Sequence, residues 1–151
     1  MTVRKAALSD FEAIKQTVRE TIIAIYPRYY PAGAVEFFHN HHSDENITLD
    51  ISAGQVYTVD HDSVICGTVT VTENEISRLF VLPDYQGRGC GKALLDYAEQ
   101  LIFLSSETIQ LASSYPSKCL YLKRGYKEIS FNTIVTENGD CLCYDMMQKK
   151  R

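Results

Sequence analysis

Leu79-Phe80-Val81-Leu82-Pro83-Asp84-Tyr85-Gln86-Gly87-Arg88-Gly89-Cys90-Gly91-Lys92-Ala93-Leu94-Leu95 passes from an apolar strand, through a loop with glycine at alternate positions, into an amphipathic helix. The first amides of a helix have no partner within it, and the helix dipole adds partial positive charge at the same end. Glycine lets the chain curl there and lets an anion come close to those amides. Arg88 and Lys92 add formal charge, so a pyrophosphate is the ligand that best uses the loop. The same glycines would also serve a plain tight turn between strand and helix.

Two familiar phosphate loops do not fit. A Walker loop has Ser or Thr after its lysine and four residues between its glycines, whereas Ala93 follows Lys92 and Gly87 and Gly91 enclose three. A Rossmann fingerprint ends its next strand on an acidic residue, but Ala112-Ser113-Ser114 stands there.

Upstream of the loop, Val56 to Val59, Val64 to Val71 and Glu75 to Leu82 are rich in β-branched residues. The turns His61-Asp62-Ser63 and Glu73-Asn74 separate them, which is the pattern of an antiparallel meander. Further back, a short strand over 2–6 leads to Ser9 and Glu12, which match a Ser-x-x-Glu capping box and predict a helix start. Phe11, Ile14, Val18, Ile22 and Ile25 give that helix one apolar stripe, and Pro27 ends it. Tyr26 to Gly33 forms an aromatic, turn-rich connection that reads either as functional or as a surface turn. A short helix over 34–40 then ends among His39, His41 and His42, and Ser43 caps another that stops before Gly54.

Downstream, Leu94, Tyr97, Ala98 and Leu101 give the helix over 89–104 its apolar face. A strand over 108–111 and a short helix over 117–124, closed by Gly125, come next. Strands over 133–136 and 141–144 flank the hairpin signal Asn138-Gly139. The fold class is therefore α/β (α+β): a mixed, mostly antiparallel central sheet of about six or seven strands with helices on both faces. With 151 residues and no repeat, linker or low-complexity segment, one domain over 1–151 is expected.

A formal charge of −4 argues against a nucleic-acid partner, which would need clustered Lys and Arg, and suits a cationic one. The five cysteines have no metal-site spacing and are odd in number, so reduced, mostly buried thiols and no metal are expected. No apolar run nears the ~20 residues that span a bilayer. Met1 to Lys5 leads straight into a strand, so a cytoplasmic protein without a membrane partner is expected.

The glycine segment resembles the acetyl-CoA motif of the GNAT superfamily of N-acetyltransferases, whose core pattern is Gln/Arg-x-x-Gly-x-Gly/Ala; Gln86, Gly89 and Gly91 fit it. Cys119-Leu120-Tyr121-Leu122-Lys123-Arg124-Gly125-Tyr126 is similar to the family's Leu/Phe-Tyr-x-x-x-Gly-Phe segment, with Tyr126 in place of Phe. Both motifs occur in the family's order and separation, and the element order agrees over nearly the whole chain. The resemblance implies an N-acetyltransferase that moves an acetyl group from acetyl-CoA, its cosubstrate, to a primary amine of a small molecule or peptide.

By the same resemblance, the amides of Gly87, Arg88, Gly89, Cys90, Gly91 and Lys92, with Gln86, would hold the pyrophosphate. Leu79, Phe80 and Val81 would lie beside the pantetheine arm like an added strand, exposed where a bulge splays the fourth strand from the fifth; Gly67 or Thr68 is a candidate host for it. An amide near Phe80 or Val81 is a candidate oxyanion donor. Tyr121 stands where the family places a tyrosine for the departing thiolate, although it would also suit a core position. Many relatives carry Asn where Ser114 stands, and Ser114 has a shorter reach toward the coenzyme.

An alkylammonium titrates near ~10.4 and must lose a proton before it attacks, so a base is sought. Glu75, with Glu73, begins the fourth strand near where relatives often keep a carboxylate, though both also fit a solvated hairpin corner. The histidines 39, 41 and 42 are further candidates from the helical lid. Cys90 has no His-Asp partner pattern and is read as a small loop residue. Tyr26, Tyr29, Tyr30, Phe37 and Phe38 are candidate walls for an amine, with Phe37 and Phe38 favoured as core. A non-catalytic domain that binds acetyl-CoA or a partner protein is the alternative, and the final hairpin offers an edge for a homodimer.

Overall fold

The computed structural model describes residues 1–151. Its strands are β1 (Thr2–Lys5), β2 (Val56–His61), β3 (Val64–Thr72), β4 (Glu75–Val81), β5 (Thr108–Ser113), β6 (Lys127–Val135) and β7 (Cys141–Lys150). Its helices are α1 (Phe11–Ile25), α2 (Ala32–His41), α3 (Asp44–Ser52), α4 (Cys90–Ile102) and α5 (Lys118–Lys123). The strands form one seven-stranded sheet in the order β1-β2-β3-β4-β5-β7-β6. Every pairing is antiparallel except that of β4 with β5.

Each face of the sheet has its own apolar layer. Ile14, Val18 and Ile22 of α1 are fully buried with Ile47 and Ile51 of α3 against Val56 and Phe80. Leu94, Leu95, Ala98 and Ile102 of α4 pack on the other face with Val69, Ile109, Leu111 and Met147. Each of these Leu, Ile, Val, Phe and Met side chains contributes about 1.5–3 kcal/mol of burial, and Ala98 less. No helix is long and apolar enough to cross a membrane.

Four local expectations are corrected. The Ser9 and Glu12 box does not form: Asp10, the N-cap of α1, makes no side-chain bond to that helix and instead closes the turn before it, accepting from the Ala7 amide at 2.8 Å and from Arg4 at 2.7 and 3.0 Å. Asp10 wins because one carboxylate satisfies a backbone donor and a guanidinium together. The bulge facing β4 is not hosted at Gly67 or Thr68. Thr68 pairs with Phe80 and Thr70 with Ser77, so Arg78 and Leu79 of β4 bulge against Val69 alone. The last two strands run well beyond the expected 133–136 and 141–144: β6 starts at Lys127, and its first five residues are all exposed, including Ile129 and Phe131, which alternate with polar neighbours but bury no face. Finally, Cys66 and Cys90 are buried but Cys119, Cys141 and Cys143 are exposed, the last two on alternate residues of β7.

Candidate functional site

The loop expected to take an anion begins where β4 ends. Gln86 Nε2 donates to the Val81 carbonyl at 2.9 Å, which ties the loop entry to the strand. Gly87 and Gly89 sit at φ of 74° and 90°, the left-handed region that favours glycine, and Gly89 is the N-cap of α4. The first bond into the helix runs from the Ala93 amide to the Gly89 carbonyl, so the amides of Gly87 to Lys92 donate to no backbone carbonyl. Arg88 lies over the Tyr85 ring at 5.4 Å, and Lys92 pairs with Asp96 at 2.6 Å. Such a concave run of amides with two cations can hold a polyanion. The Cys90 side chain turns inward, its Sγ 3.3 Å from that of Cys66, so only its backbone faces the loop.

Next to this loop the sheet opens. Glu75 with Gln110 is the one registered pair between β4 and β5, and the strands diverge beyond it. The gap leads into a cavity of about 390 Å³. One wall is β4 from Glu75 to Phe80; opposite lie Ala112, Ser113 and Ser114, followed by Ser117 and Tyr121. Phe37, Phe38, His41 and His42 of α2 and its C-terminus form the roof, and Ile134, Leu142, Tyr144 and Met146 close the far end. Splayed strands leave main-chain groups of β4 without ladder partners, which suits an extended ligand that pairs by its own amides. The Val81 carbonyl already accepts from Gln86, and the Thr21 hydroxyl, whose one proton goes to the Thr17 carbonyl at 2.7 Å, lies 3.0 Å from that of Val81.

Tyr121 is only 5 % exposed, faces the cavity, and stacks edge-on against Tyr126 with 5.6 Å between ring centres. Burial, and then the neighbouring Tyr26, hold its phenol well above the ordinary value. Tyr26 is itself pushed up to about 12 by burial. Ser114 lines the same wall and donates to Ser117 Oγ at 3.1 Å. Phe38 packs edge-on to Tyr26 at 4.6 Å, but Phe37 and Phe38 both line the cavity and are not simply core.

Glu75 borders the cavity with an exposed side chain, whereas Glu73 and His39 are not part of its lining. His41 and His42 are. Burial, and then Arg78, lower His41, while Asp50 and Glu75 act in the opposite sense. His42 falls to about 2 for the same leading reasons, and its Nδ1 accepts from Arg78 Nε at 3.3 Å. It is thus a neutral acceptor already in use.

Arg78 is the residue that sequence reasoning missed. It is 8 % exposed, with φ of 46°, and donates to Asp50 Oδ2 at 2.6 Å and Thr70 Oγ1 at 3.1 Å. A backbone outlier of this kind costs of order 1–3 kcal/mol and persists only where surrounding contacts impose it. Its one trace in the sequence is a lone arginine within Glu75-Ile76-Ser77-Arg78-Leu79-Phe80-Val81. The Asp50 and Arg78 pair braces the bulged backbone of β4.

Comparison with known proteins agrees with this architecture. The profile described as "Acetyltransferase (GNAT) domain" matches residues 25–148. A GCN5-related N-acetyltransferase structure from Rhodopseudomonas palustris superposes with a TM-score of 0.90 at 22% identity, covering 99% of this chain and 95% of that one. PaiA N-acetyltransferase from Thermoplasma acidophilum, in complex with coenzyme A, gives 0.74 at 22% identity over 99% and 98%. YncA from Salmonella typhimurium, with its cofactor acetyl-CoA, gives 0.75 at 18% identity over 99% and 93%. At these identities the likeness is one of fold. Among curated proteins no sequence matches significantly.

Proposed function

The chain belongs to the GNAT acetyltransferase family, whose domains use acetyl-CoA as cosubstrate, and we propose that, as one domain over 1–151, it moves the acetyl group to a primary amine of a small molecule or peptide by direct attack on the thioester. The observation that carries this reading is the junction of two openings: the unpartnered amides from Gly87 to Lys92 stand beside the gap between β4 and β5.

In this reading the amides of Gly87, Arg88, Gly89, Cys90, Gly91 and Lys92 hold the pyrophosphate, and Gln86 keeps the loop in register through Val81. Leu79, Phe80 and Val81 run along the pantetheine arm, with Ser114 across from them. Because the Val81 carbonyl already accepts from Gln86, the main-chain pairing falls chiefly to the groups before it.

Glu75 receives the amine's proton. A carboxylate is a far weaker base than an alkylamine, whose ammonium titrates near ~10.4, so the apolar walls must first disfavour the charged amine. Phe37 and Phe38 supply such walls. The free nitrogen then attacks the thioester carbonyl, the carbon–sulfur bond breaks, the sulfur leaves with the bonding pair, and the second nitrogen proton passes to solvent to leave the neutral amide. Tyr121 donates a hydrogen bond to that sulfur. A thiol near ~8.5 is a stronger acid than a phenol raised above ~10, so Tyr121 keeps its proton and the thiolate is neutralised from solvent.

Calorimetric titration with acetyl-CoA tests the reading, with Gly89→Glu as a control that places a carboxylate among the loop amides. Saturable binding that is lost in Gly89→Glu, followed by amine-dependent thiol release, is the expected result. Failure of the folded wild type to bind would overturn it. Binding without turnover of any amine would make the chain a non-catalytic acetyl-CoA-binding domain.

A further inference from the structure

The charges around the cavity limit what kind of amine fits it. Its lining contains one carboxylate, Glu75, and one cation, Arg78. Arg78 is neutralised outside the lining by Asp50 at 2.6 Å. His42 is committed to Arg78, and His41 lies flat against Phe37, 5.8 Å between ring centres and 10° between planes. Glu75 is thus the only uncompensated charge facing a ligand, and it can balance a single ammonium. A second ammonium at the far end of the cavity would find no second carboxylate, only the uncharged Tyr144 among Ile134, Leu142 and Met146. An unpaired charge among such groups is strongly disfavoured.

The same walls say what the rest of the acceptor is made of. Apolar side chains from α2, β6 and β7 converge on one space, and burying apolar surface there is favourable at about 25 cal/mol per Å². The volume of about 390 Å³ also has to admit the thioester end of the cosubstrate, which leaves room for a small body only. Amino sugars and polyamines bring several ammonium groups, and beyond Glu75 the lining holds no carboxylate for them; its hydroxyls, from Ser77, Ser113, Ser114, Ser117 and the tyrosines, cannot balance a charge.

We propose that the acceptor is a small primary monoamine with an apolar, aromatic or branched aliphatic body, its amine held by Glu75 and its body lodged between Phe37, Phe38, Ile134, Leu142 and Met146. This rests on the acetyl-CoA-dependent reading above and narrows its acceptor. Selectivity comes from two terms acting together: one carboxylate for one charge, and an apolar wall that rejects any further charge.

The test is thiol release from acetyl-CoA by purified full-length protein, with 2-phenylethylamine, 3-methylbutylamine, spermidine and kanamycin as acceptors. The expected kcat/KM for the first two exceeds that for spermidine and kanamycin at least 10-fold. Ile134→Asp, which adds a second carboxylate to the wall, is then expected to move the 2-phenylethylamine to spermidine ratio at least 10-fold toward spermidine. A ratio within one preparation cancels any loss of folded enzyme. Preferred turnover of spermidine or kanamycin by the wild type overturns this proposal while the acetyltransferase reading stands. An unchanged ratio in Ile134→Asp overturns it as well, and no turnover of any amine overturns both.

Discussion

The backbone amide of Gly33, in the first turn of α2, donates to Asp140 Oδ2 in the β6–β7 loop at 2.8 Å, joining positions 107 residues apart. Asn138 Nδ2 reaches the same oxygen at 2.9 Å, and the Gly33 amide and then Asn138 hold the Asp140 carboxyl below its ordinary range. The Tyr115 amide makes a second tie by donating to Tyr30 Oη at 2.7 Å. The first bond clasps the roof of the cavity to its far end, and the second ties the chain entering α2 to the wall that follows β5. A Cβ on Gly33 would overlap Asn138 Oδ1 and come within 2.6 Å of Thr136 Oγ1. Gly33→Val or Asp140→Ala is therefore expected to raise KM for the amine about 5-fold or more, because the wall formed by α2 is no longer held. Affinity for acetyl-CoA, measured by calorimetry, should stay within about 2-fold, since the loop from Gly87 to Lys92 lies outside the clasp.

Tyr121→Phe keeps the ring that packs on Tyr126 and removes only the hydroxyl. If that hydroxyl bonds the departing sulfur, kcat should fall about 100-fold with little change in acetyl-CoA affinity, the size of effect seen for loss of one transition-state donor. Because the phenol titrates far above the ordinary range, no alkaline limb of the wild-type pH profile up to pH ~9 should vanish in the variant. A fall in acetyl-CoA affinity with unchanged kcat would assign Tyr121 to binding alone.

How far the fold was legible depends on how local each signal is. The alternate glycines, the stripe Ile14, Val18, Ile22 and the turn at Gly125 act within a few residues, and each element stands where its pattern put it. The extent of β6 was hidden: Ile129 and Phe131 do alternate with Ser130 and Asn132, but the segment opens on Lys127 and Glu128 and both apolar side chains are exposed, so its pairing with β7 rather than a buried face holds it as a strand. The bulge at Arg78 was hidden for a different reason. It depends on the register between β3 and β4 and on Asp50 from a distant helix, and neither is encoded near Arg78 itself. Of the candidate site, the loop and Tyr121 were readable from motifs, whereas the role of Phe37 as a cavity wall required the path of α2.

A second buried ion cluster lies away from the cavity and governs stability. Glu99 of α4 accepts from Arg124 at 3.0 and 2.9 Å, from Lys149 at 2.8 Å and from the Tyr126 hydroxyl at 3.1 Å. Burial alone would raise its pKa, but Arg124 and Lys149 outweigh that and hold it below the usual carboxylate range. Glu99→Gln leaves Arg124 its bond to Asp96 at 2.8 Å but strands Lys149. The expected loss is about 3 kcal/mol, the lower end for breaking a buried pair, read from urea midpoints at pH 7. A carboxylate with a depressed folded pKa stabilises fully above its unfolded value and loses that contribution as pH falls through its folded one. The gap between wild type and Glu99→Gln should therefore narrow below pH ~4.5.

His42 imposes a different pH dependence, in a higher window. Its side chain is buried between Arg78, whose Nε donates to it at 3.3 Å, and the edge of Phe80, with ring centres 5.2 Å apart. Burial, then the charge of Arg78, then the neighbouring histidines lower it to about 2. The unfolded chain takes up a proton near pH ~6.5 that the folded chain refuses, so stability is full above that pH and declines below it. Each proton costs about 1.4 kcal/mol per pH unit once pH is well below the unfolded value. Between pH 7 and pH 5.5 the wild type should thus lose about 1 kcal/mol more than His42→Gln, in urea titrations at matched ionic strength. His41 is shifted in the same direction, so a double variant with His41→Gln should flatten the slope further. Equal slopes in wild type and both variants would mean that the folded protein admits a proton at His42, and the neutral acceptor assigned to Arg78 would have to be given up.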